Sequence, residues 1–256
     1  MSKLTEISVF FPAFNEKANL ERMVRSLRVV LPQVSRRHEI IIVDDGSKDG
    51  TGELADGLAG KFGDVWVVHH PRNLGYGAAL RSGIAACRYR YIFFTDGDCQ
   101  FDVRDIEKLV PYIEDHDIVL GYRARRKDNF LRLVFAWGWN WLIRILLGVK
   151  VRDLDCAFKL FRAEILKPLK LLTTGAMINA EILASARRRG FFAHEVPVRH
   201  LPRLHGRSTG GNPRVILMAF GELFQFIFRQ ERFFYAQKGT IYPVDFVHKR
   251  STLGHI

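Results

Sequence analysis

A chain of 256 residues, 48% of them hydrophobic, is long enough for one large domain or two small ones around a sizeable core. Its 39 Lys and Arg against 27 Asp and Glu leave a formal charge of +12, which favours an anionic partner such as nucleic acid, acidic lipid or a phosphorylated substrate. Three cysteines without paired spacing argue against a disulfide framework, and residues 1–6 lack the apolar core of a secretory signal, so a reducing, cytoplasmic setting is expected.

In chain order, β-rich runs at 7–11, 39–43, 65–69, 91–95 and 117–120 alternate with helical stretches at 17–31, 51–62, 77–88 and 102–114. That alternation predicts a mostly parallel sheet covered by helices. Val9-Phe10-Phe11 and Ile40-Ile41-Ile42-Val43 are continuous apolar runs, as in strands buried on both faces. Ligands of such sheets sit beyond the carboxyl ends of the strands. Those ends read Pro12-Ala13-Phe14-Asn15-Glu16, Asp44-Asp45-Gly46-Ser47, His70-Pro71-Arg72-Asn73 and Asp96-Gly97-Asp98, so acidic groups converge on one edge. Thr51 is a candidate N-cap, with Glu53 in the first turn behind it. The glycine-rich run 73–83 resembles a phosphate loop, but Leu80 stands where the dinucleotide fingerprint needs its third glycine. Close packing of a helix on the sheet explains those glycines equally well.

The second half differs. Residues 130–147 are strongly apolar and contain Trp137, Trp139 and Trp141, with Arg132, Ala136, Asn140 and Arg144 as a narrow stripe at spacing four. Two arginines and an asparagine argue against a membrane span, and the tryptophans favour a helix lying at the membrane interface. A second amphipathic helix is predicted over 213–228, with Glu222, Gln225 and Arg229 on one face. Basic runs at 123–127 and 187–189, and a loop over 200–211 carrying Arg203 and Arg207, complete the inventory. The tail, 230–256, carries no recognisable chemistry.

Asp96-Gly97-Asp98-Cys99-Gln100 is the segment richest in chemistry. Two carboxylates and an amide at a strand end are a compact oxygen set for a hard divalent cation, and Asp-Gly is also a common turn dipeptide. Its place on the edge beside Glu16 and Asp45 favours the cation.

Phe11–Glu16, Val43–Ser47, Asn73–Gly77 and Asp96–Gln100, in that order and spacing, resemble the family 2 glycosyltransferases of the GT-A fold. Gly121-Tyr122-Arg123, Asp155–Lys159, Glu181, Glu195–Val198 and Arg203–Ser208 resemble the dolichol-phosphate mannosyltransferase branch, which moves a sugar from a nucleotide to a polyprenyl phosphate. The resemblance implies an α/β GT-A fold over 1–229, with a nucleotide-binding half at 1–120 and an acceptor half at 121–229 that holds the interfacial helices. It implies nucleotide contacts from Pro12, Glu16 and Asp45. Asp96, Asp98 and Gln100 would bind Mg2+ or Mn2+, Arg123 and Arg132 the acceptor phosphate, and Arg203 and Ser208 would lie in a loop closing over the donor. Asp96, Asp98 and Arg203 are the expected catalytic residues. Ala136 departs from the branch, which has a serine there.

The expected reaction is an inverting transfer of a hexose, from GDP-mannose or UDP-glucose, to polyprenyl or dolichyl phosphate at the cytoplasmic face of a membrane, with no nucleic-acid partner. A glycosyltransferase of the same fold with a different acceptor, a sugar-1-phosphate nucleotidyltransferase and a basic membrane- or RNA-binding module are the competing readings. Nothing in the sequence sets an oligomeric state.

Overall fold

A computed structural model describes residues 3–124, 130–203, 205 and 217–228, with backbone alone over 130–136. Its frame is a seven-stranded sheet: β1 (Leu4–Ala13), β2 (Ser35–Asp44), β3 (Val65–His69), β4 (Tyr91–Thr95), β5 (Ile118–Arg123), β6 (Phe158–Arg162) and β7 (Ala193–Val198). The spatial order is β3-β2-β1-β4-β6-β5-β7, and β6 alone runs against the others. The chain builds outward from β1 to β3 and then returns to place β4 on the other side of β1. This reversal is a topological switch point, where the connections leaving β1 and β4 part and open a crevice.

The apolar runs do what their composition requires. Phe10, Phe11, Phe93, Phe94, Phe158 and Phe161 are fully buried, and the Phe93 and Phe158 rings meet edge to face at 4.7 Å. Helices α1 (Lys17–Val34), α2 (Thr51–Lys61) and α3 (Tyr76–Ala86) connect the first four strands. Gly83 of α3 lies so close to β1 that a Cβ there would stand 2.2 Å from the Phe10 ring, so part of the glycine-rich run serves close packing.

Several expectations need correction. Helix α1 continues three residues past Leu31 with Pro32 in its last turn, where a missing N–H costs one bond and the burial of Val34 still favours the helix. Thr51 is not the N-cap of α2: Gly50, at φ 88°, takes that place and Thr51 is the first helical residue. The helix expected over 102–114 is broken. Asp102 caps a 3-10 turn at Val103–Asp105, α4 covers only Ile106–Leu109, and Pro111 turns the rest into a second 3-10 segment. Strands β6 and β7 were not anticipated, because Lys159 and the His194-Glu195 pair interrupt their apolar patterns.

The second half also supplies α5 (Phe130–Leu147), α6 (Ala163–Leu166), α7 (Ile178–Arg188) and α8 (217–228). The basic end of α7 at Arg187-Arg188 is exposed. Helix α5 buries Ile143 and packs Trp139 against Phe220, yet leaves Trp137 69% and Trp141 55% exposed. Helix α8 is turned the same way. Its Glu222 carboxylate accepts from the backbone N–H groups of Thr174 (2.9 Å) and Gly175 (2.6 Å), while Leu217, Met218, Phe224 and Phe228 face outward. Helix α8 also buries Ala219, Leu223 and Phe226, so it carries apolar residues on both an inner and an outer face, more than the single apolar stripe of a helix in a soluble globule. Among the described residues no helix is long and apolar enough to cross a membrane.

Candidate active site

The crevice at the switch point gathers most of the expected residues. Pro12 is the penultimate residue of β1, and its carbonyl lies 2.7 Å from where a Cβ on Gly97 would stand, so only glycine lets the Asp96–Asp98 loop close over β1. Asn15 (φ 56°) and Cys99 (φ 57°) are the non-glycine residues in left-handed conformation among those described, and they flank the crevice from β1 and β4. Both are pinned. The Asn15 N–H donates to Ser47 Oγ (2.9 Å) and its side-chain oxygen accepts from the Lys48 N–H (2.9 Å), while Cys99 Sγ donates to the Asn19 carbonyl (3.6 Å).

Glu16 faces the Asp loop across the crevice. Its Oε2 accepts from Asn19 Nδ2 (2.6 Å) and its Oε1 from the Arg203 guanidinium, and burial raises its pKa despite both partners. Arg203 Nη1 also reaches Asp98 Oδ2 (3.4 Å), so one cation stands between two carboxylates from different loops. The segment carrying Arg203 is stitched to the Asp loop: Leu201 N–H donates to the Gln100 carbonyl (2.7 Å), and Gln100 Nε2 donates to the Leu201 carbonyl (3.4 Å). Asp98 Oδ1 accepts from the Gln100 N–H (3.0 Å).

Asp96 is the most perturbed carboxyl. Burial and the neighbouring Asp98 push its pKa up to about 7, against which the Tyr76 hydroxyl donates a hydrogen bond (3.1 Å) to Oδ1. Asp45 organises its surroundings. Its Oδ1 pairs with His70 Nδ1 (2.6 Å) and accepts from the Leu74 N–H, and its Oδ2 accepts from the Gly75 N–H. Asp45 thereby shapes the glycine-rich loop that carries Tyr76. His69 and His70 close the end of β3 by pairing with Asp44 and Asp45.

Arg123 lies at the end of β5, its side chain 7% exposed and paired with Asp153 through Nε (2.6 Å) and Nη2 (2.7 Å); this pair raises its pKa against the effect of burial. The pair uses two of the five guanidinium N–H groups. Arg132 falls in the first turn of α5, and its side chain, that of Ala136 and the whole of Ser208 lie outside the described residues. Sequence reasoning missed Tyr76, Asp153 and Asn179 as polar parts of this neighbourhood. No spacing rule marks them: Tyr76 opens α3, Asp153 lies in a loop and Asn179 is in the first turn of α7, and only the fold brings them together.

Residues 8–169 match the family model described as glycosyl transferase family 2. Dodecaprenyl-phosphate galacturonate synthase of Rhizobium johnstonii is 36% identical over 219 residues, covering 82% of this chain and 63% of the relative. Undecaprenyl-phosphate 4-deoxy-4-formamido-L-arabinose transferase of Pseudomonas fluorescens is 30% identical, covering 84% and 62%. The chain therefore spans less than two thirds of the length of these curated relatives. Among solved structures, glucosyl-3-phosphoglycerate synthase from Mycobacterium tuberculosis with Mn2+, UDP and glucosyl-3-phosphoglycerate aligns with a TM-score of 0.60 at 23% identity, covering 78% of this chain and 73% of that one. A complex of the same synthase with Mn2+, UDP-glucose and phosphoglyceric acid aligns at 0.65 and 20% identity, covering 87% and 80%. These structures establish the likeness of fold.

Proposed function

The chain belongs to glycosyl transferase family 2, and from that premise we propose that it transfers a sugar from a nucleotide-sugar donor to a polyprenyl phosphate held at a membrane surface. The observation that carries this reading is the crevice where Glu16, Asp96, Asp98 and Arg203 meet, beside two helices that turn apolar faces outward.

A divalent cation fits this donor set. Two adjacent carboxylates, one pushed up to about 7 by burial and by the other, gain from a positive charge between them. Among the described residues no three His, Cys, Asp or Glu side chains converge on one point. A cation held by Asp96 and Asp98 would therefore complete its shell with the Gln100 amide, water and donor phosphates, as Mg2+ and Mn2+ sites on nucleotides do. When bound it would supply Lewis-acid stabilisation of the departing nucleoside diphosphate.

The remaining work falls to the chain. Arg203 stands where its fork can turn from Glu16 and Asp98 to phosphate oxygens. Pro12, Glu16 and Asp45 form or shape the wall on which the nucleotide would rest. Arg123, Arg132 and Ser208 are proposed for the acceptor and the closing loop. The acceptor phosphate, with a second pKa near about 6, is largely dianionic at neutral pH and needs no strong general base. The charged oxygen can attack the anomeric carbon directly as the bond to the nucleoside diphosphate breaks, and that single displacement inverts the configuration.

The relatives' names favour galacturonate or 4-deoxy-4-formamido-L-arabinose over the mannose or glucose expected from the sequence, and a charge of +12 suits an anionic sugar. In a panel of nucleotide-linked galacturonate, formamido-arabinose, mannose and glucose with Mn2+ and undecaprenyl phosphate, the galacturonate donor is expected to give the highest rate of lipid-linked product. A panel in which mannose or glucose is preferred would overturn the donor assignment.

The crevice also predicts a pH dependence of stability. The Asp96 carboxyl moves from an ordinary 3.8 to about 7 on folding, so the folded state binds this proton more tightly than the unfolded chain. Its contribution is complete below about pH 4 and is lost as pH rises through about 7. In the cation-free protein the thermal midpoint is expected to fall between pH 5 and pH 8, and Asp96→Asn should flatten that slope. An equal slope in Asp96→Asn and wild type would refute the assignment.

A further inference from the structure

Behind Asp96 lies a polar chain inside the sheet. Lys159 is the second residue of β6, 1% exposed, with Nζ 5.3 Å from the centre of the Phe94 ring. Burying an ammonium is costly unless every donor is met. Here Nζ donates to the carbonyls of Leu154 (3.1 Å) and Cys156, and to Asn179 Oδ1 (3.0 Å). Three acceptors match the three hydrogens of a protonated lysine and offset the lowering of its pKa by burial. Asn179, 5% exposed in the first turn of α7, has its oxygen fixed by Lys159, which leaves its amide N–H groups as donors, and it stands near enough to Tyr76 to favour negative charge on the hydroxyl oxygen. The Tyr76 hydroxyl then has one hydrogen left, and it goes to Asp96 Oδ1.

Every hydrogen in this chain thus points the same way, from Lys159 through Asn179 and Tyr76 to Asp96. Polar groups so aligned polarise one another. Direct contact between Lys159 and Asp96 would neutralise the carboxylate and compete with a cation. The two intervening residues keep the charges apart while fixing the rotation of the Asp96 carboxylate, and so the direction of its second oxygen.

We propose that Tyr76 and Asn179, anchored on Lys159, are positioning residues that set the Asp96 carboxylate for a divalent cation. The proposal rests on the reading of Asp96 as a cation ligand. Groups that orient a metal ligand through hydrogen bonds typically change metal affinity by roughly 10–100-fold when removed.

The test is Mn2+ binding, read as loss of the free-ion electron paramagnetic resonance signal, with saturating UDP or GDP, whichever the wild type binds. Tyr76→Phe deletes one oxygen atom and is expected to raise the Mn2+ dissociation constant about tenfold, with the thermal midpoint of the cation-free protein little changed. Transfer by this variant should return towards the wild-type rate as Mn2+ is raised, which a packing defect would not allow. Asn179→Leu is expected to weaken Mn2+ to a similar degree, and the double variant no further, because both act through one chain. A dissociation constant for Tyr76→Phe within twofold of wild type overturns the proposal, even if Asn179→Leu fails to fold. So does a double variant whose loss is the product of the two single losses. Wild-type protein that binds no Mn2+ with either nucleotide would instead overturn the cation site itself, a different failure.

Discussion

Asp98→Asn is expected to reduce lipid-directed sugar transfer by about 10³-fold, equivalent to about 4 kcal/mol of transition-state stabilisation. The substitution keeps the shape of the side chain and an oxygen for the Gln100 N–H, so the loop between β4 and the Arg203 segment should persist. What disappears is the charge. A carboxamide offers one weak oxygen to a hard cation where a carboxylate offers a full negative charge, and the diphosphate leaving group would then depart without neutralisation. The same change removes the electrostatic effect of Asp98 on Asp96, so the Asp96 pKa should fall. Initial rates with labelled donor, alongside a thermal unfolding curve, measure both consequences. A folded variant with full activity would show that the carboxylate pair does something else.

Loss of membrane binding in Phe224→Asp/Phe228→Asp is the second large effect. The two rings are 60% and 61% exposed and stack at a centroid separation of 6.4 Å, so removing them leaves the core intact. Burying a phenylalanine in an apolar medium contributes about 2–3 kcal/mol, and a carboxylate there adds a penalty. Partition to vesicles containing anionic lipid should drop by at least about 10²-fold. Helix α8 should stay in place, because the Glu222 bonds to Thr174 and Gly175 lie on its opposite side. Transfer to a short, water-soluble prenyl phosphate should remain within about threefold of wild type. Unchanged vesicle flotation would mean that this apolar surface meets a protein partner instead.

The order of elements through β4 and the edge on which the chemistry collects were legible in the sequence because they rest on periodicity and on strand-end residues, both local properties. Asp96 and Asp98 could be placed beside Glu16 before any coordinates, since a parallel sheet brings the carboxyl ends of its strands to one side. What failed was decided by long-range packing. Strand β6 was hidden by Lys159, a charge inside an apolar run, which is met by two carbonyls of the loop just before it and by Asn179 of α7, acceptors that no apolar pattern marks. The helix over 102–114 broke because Pro111 outweighed an otherwise favourable stretch. The outward turn of α8 was half legible: the face containing Glu222 could be read, but the backbone N–H groups that draw that face inward belong to Thr174 and Gly175. Arg123 shows the same limit, since its burial against Asp153 depends on a pairing thirty positions away.

The most direct test of the central claim is the fate of the sugar. The chain would be incubated with undecaprenyl phosphate in detergent, Mn2+ and a donor labelled in its sugar, then extracted with organic solvent. The expected result is label in the organic phase as a glycosyl phosphate with inverted anomeric configuration, dependent on Mn2+ and absent in Asp98→Asn. Label remaining wholly in the aqueous phase, with release of free pyrophosphate from a sugar-1-phosphate and nucleoside triphosphate supplied in parallel, would contradict it.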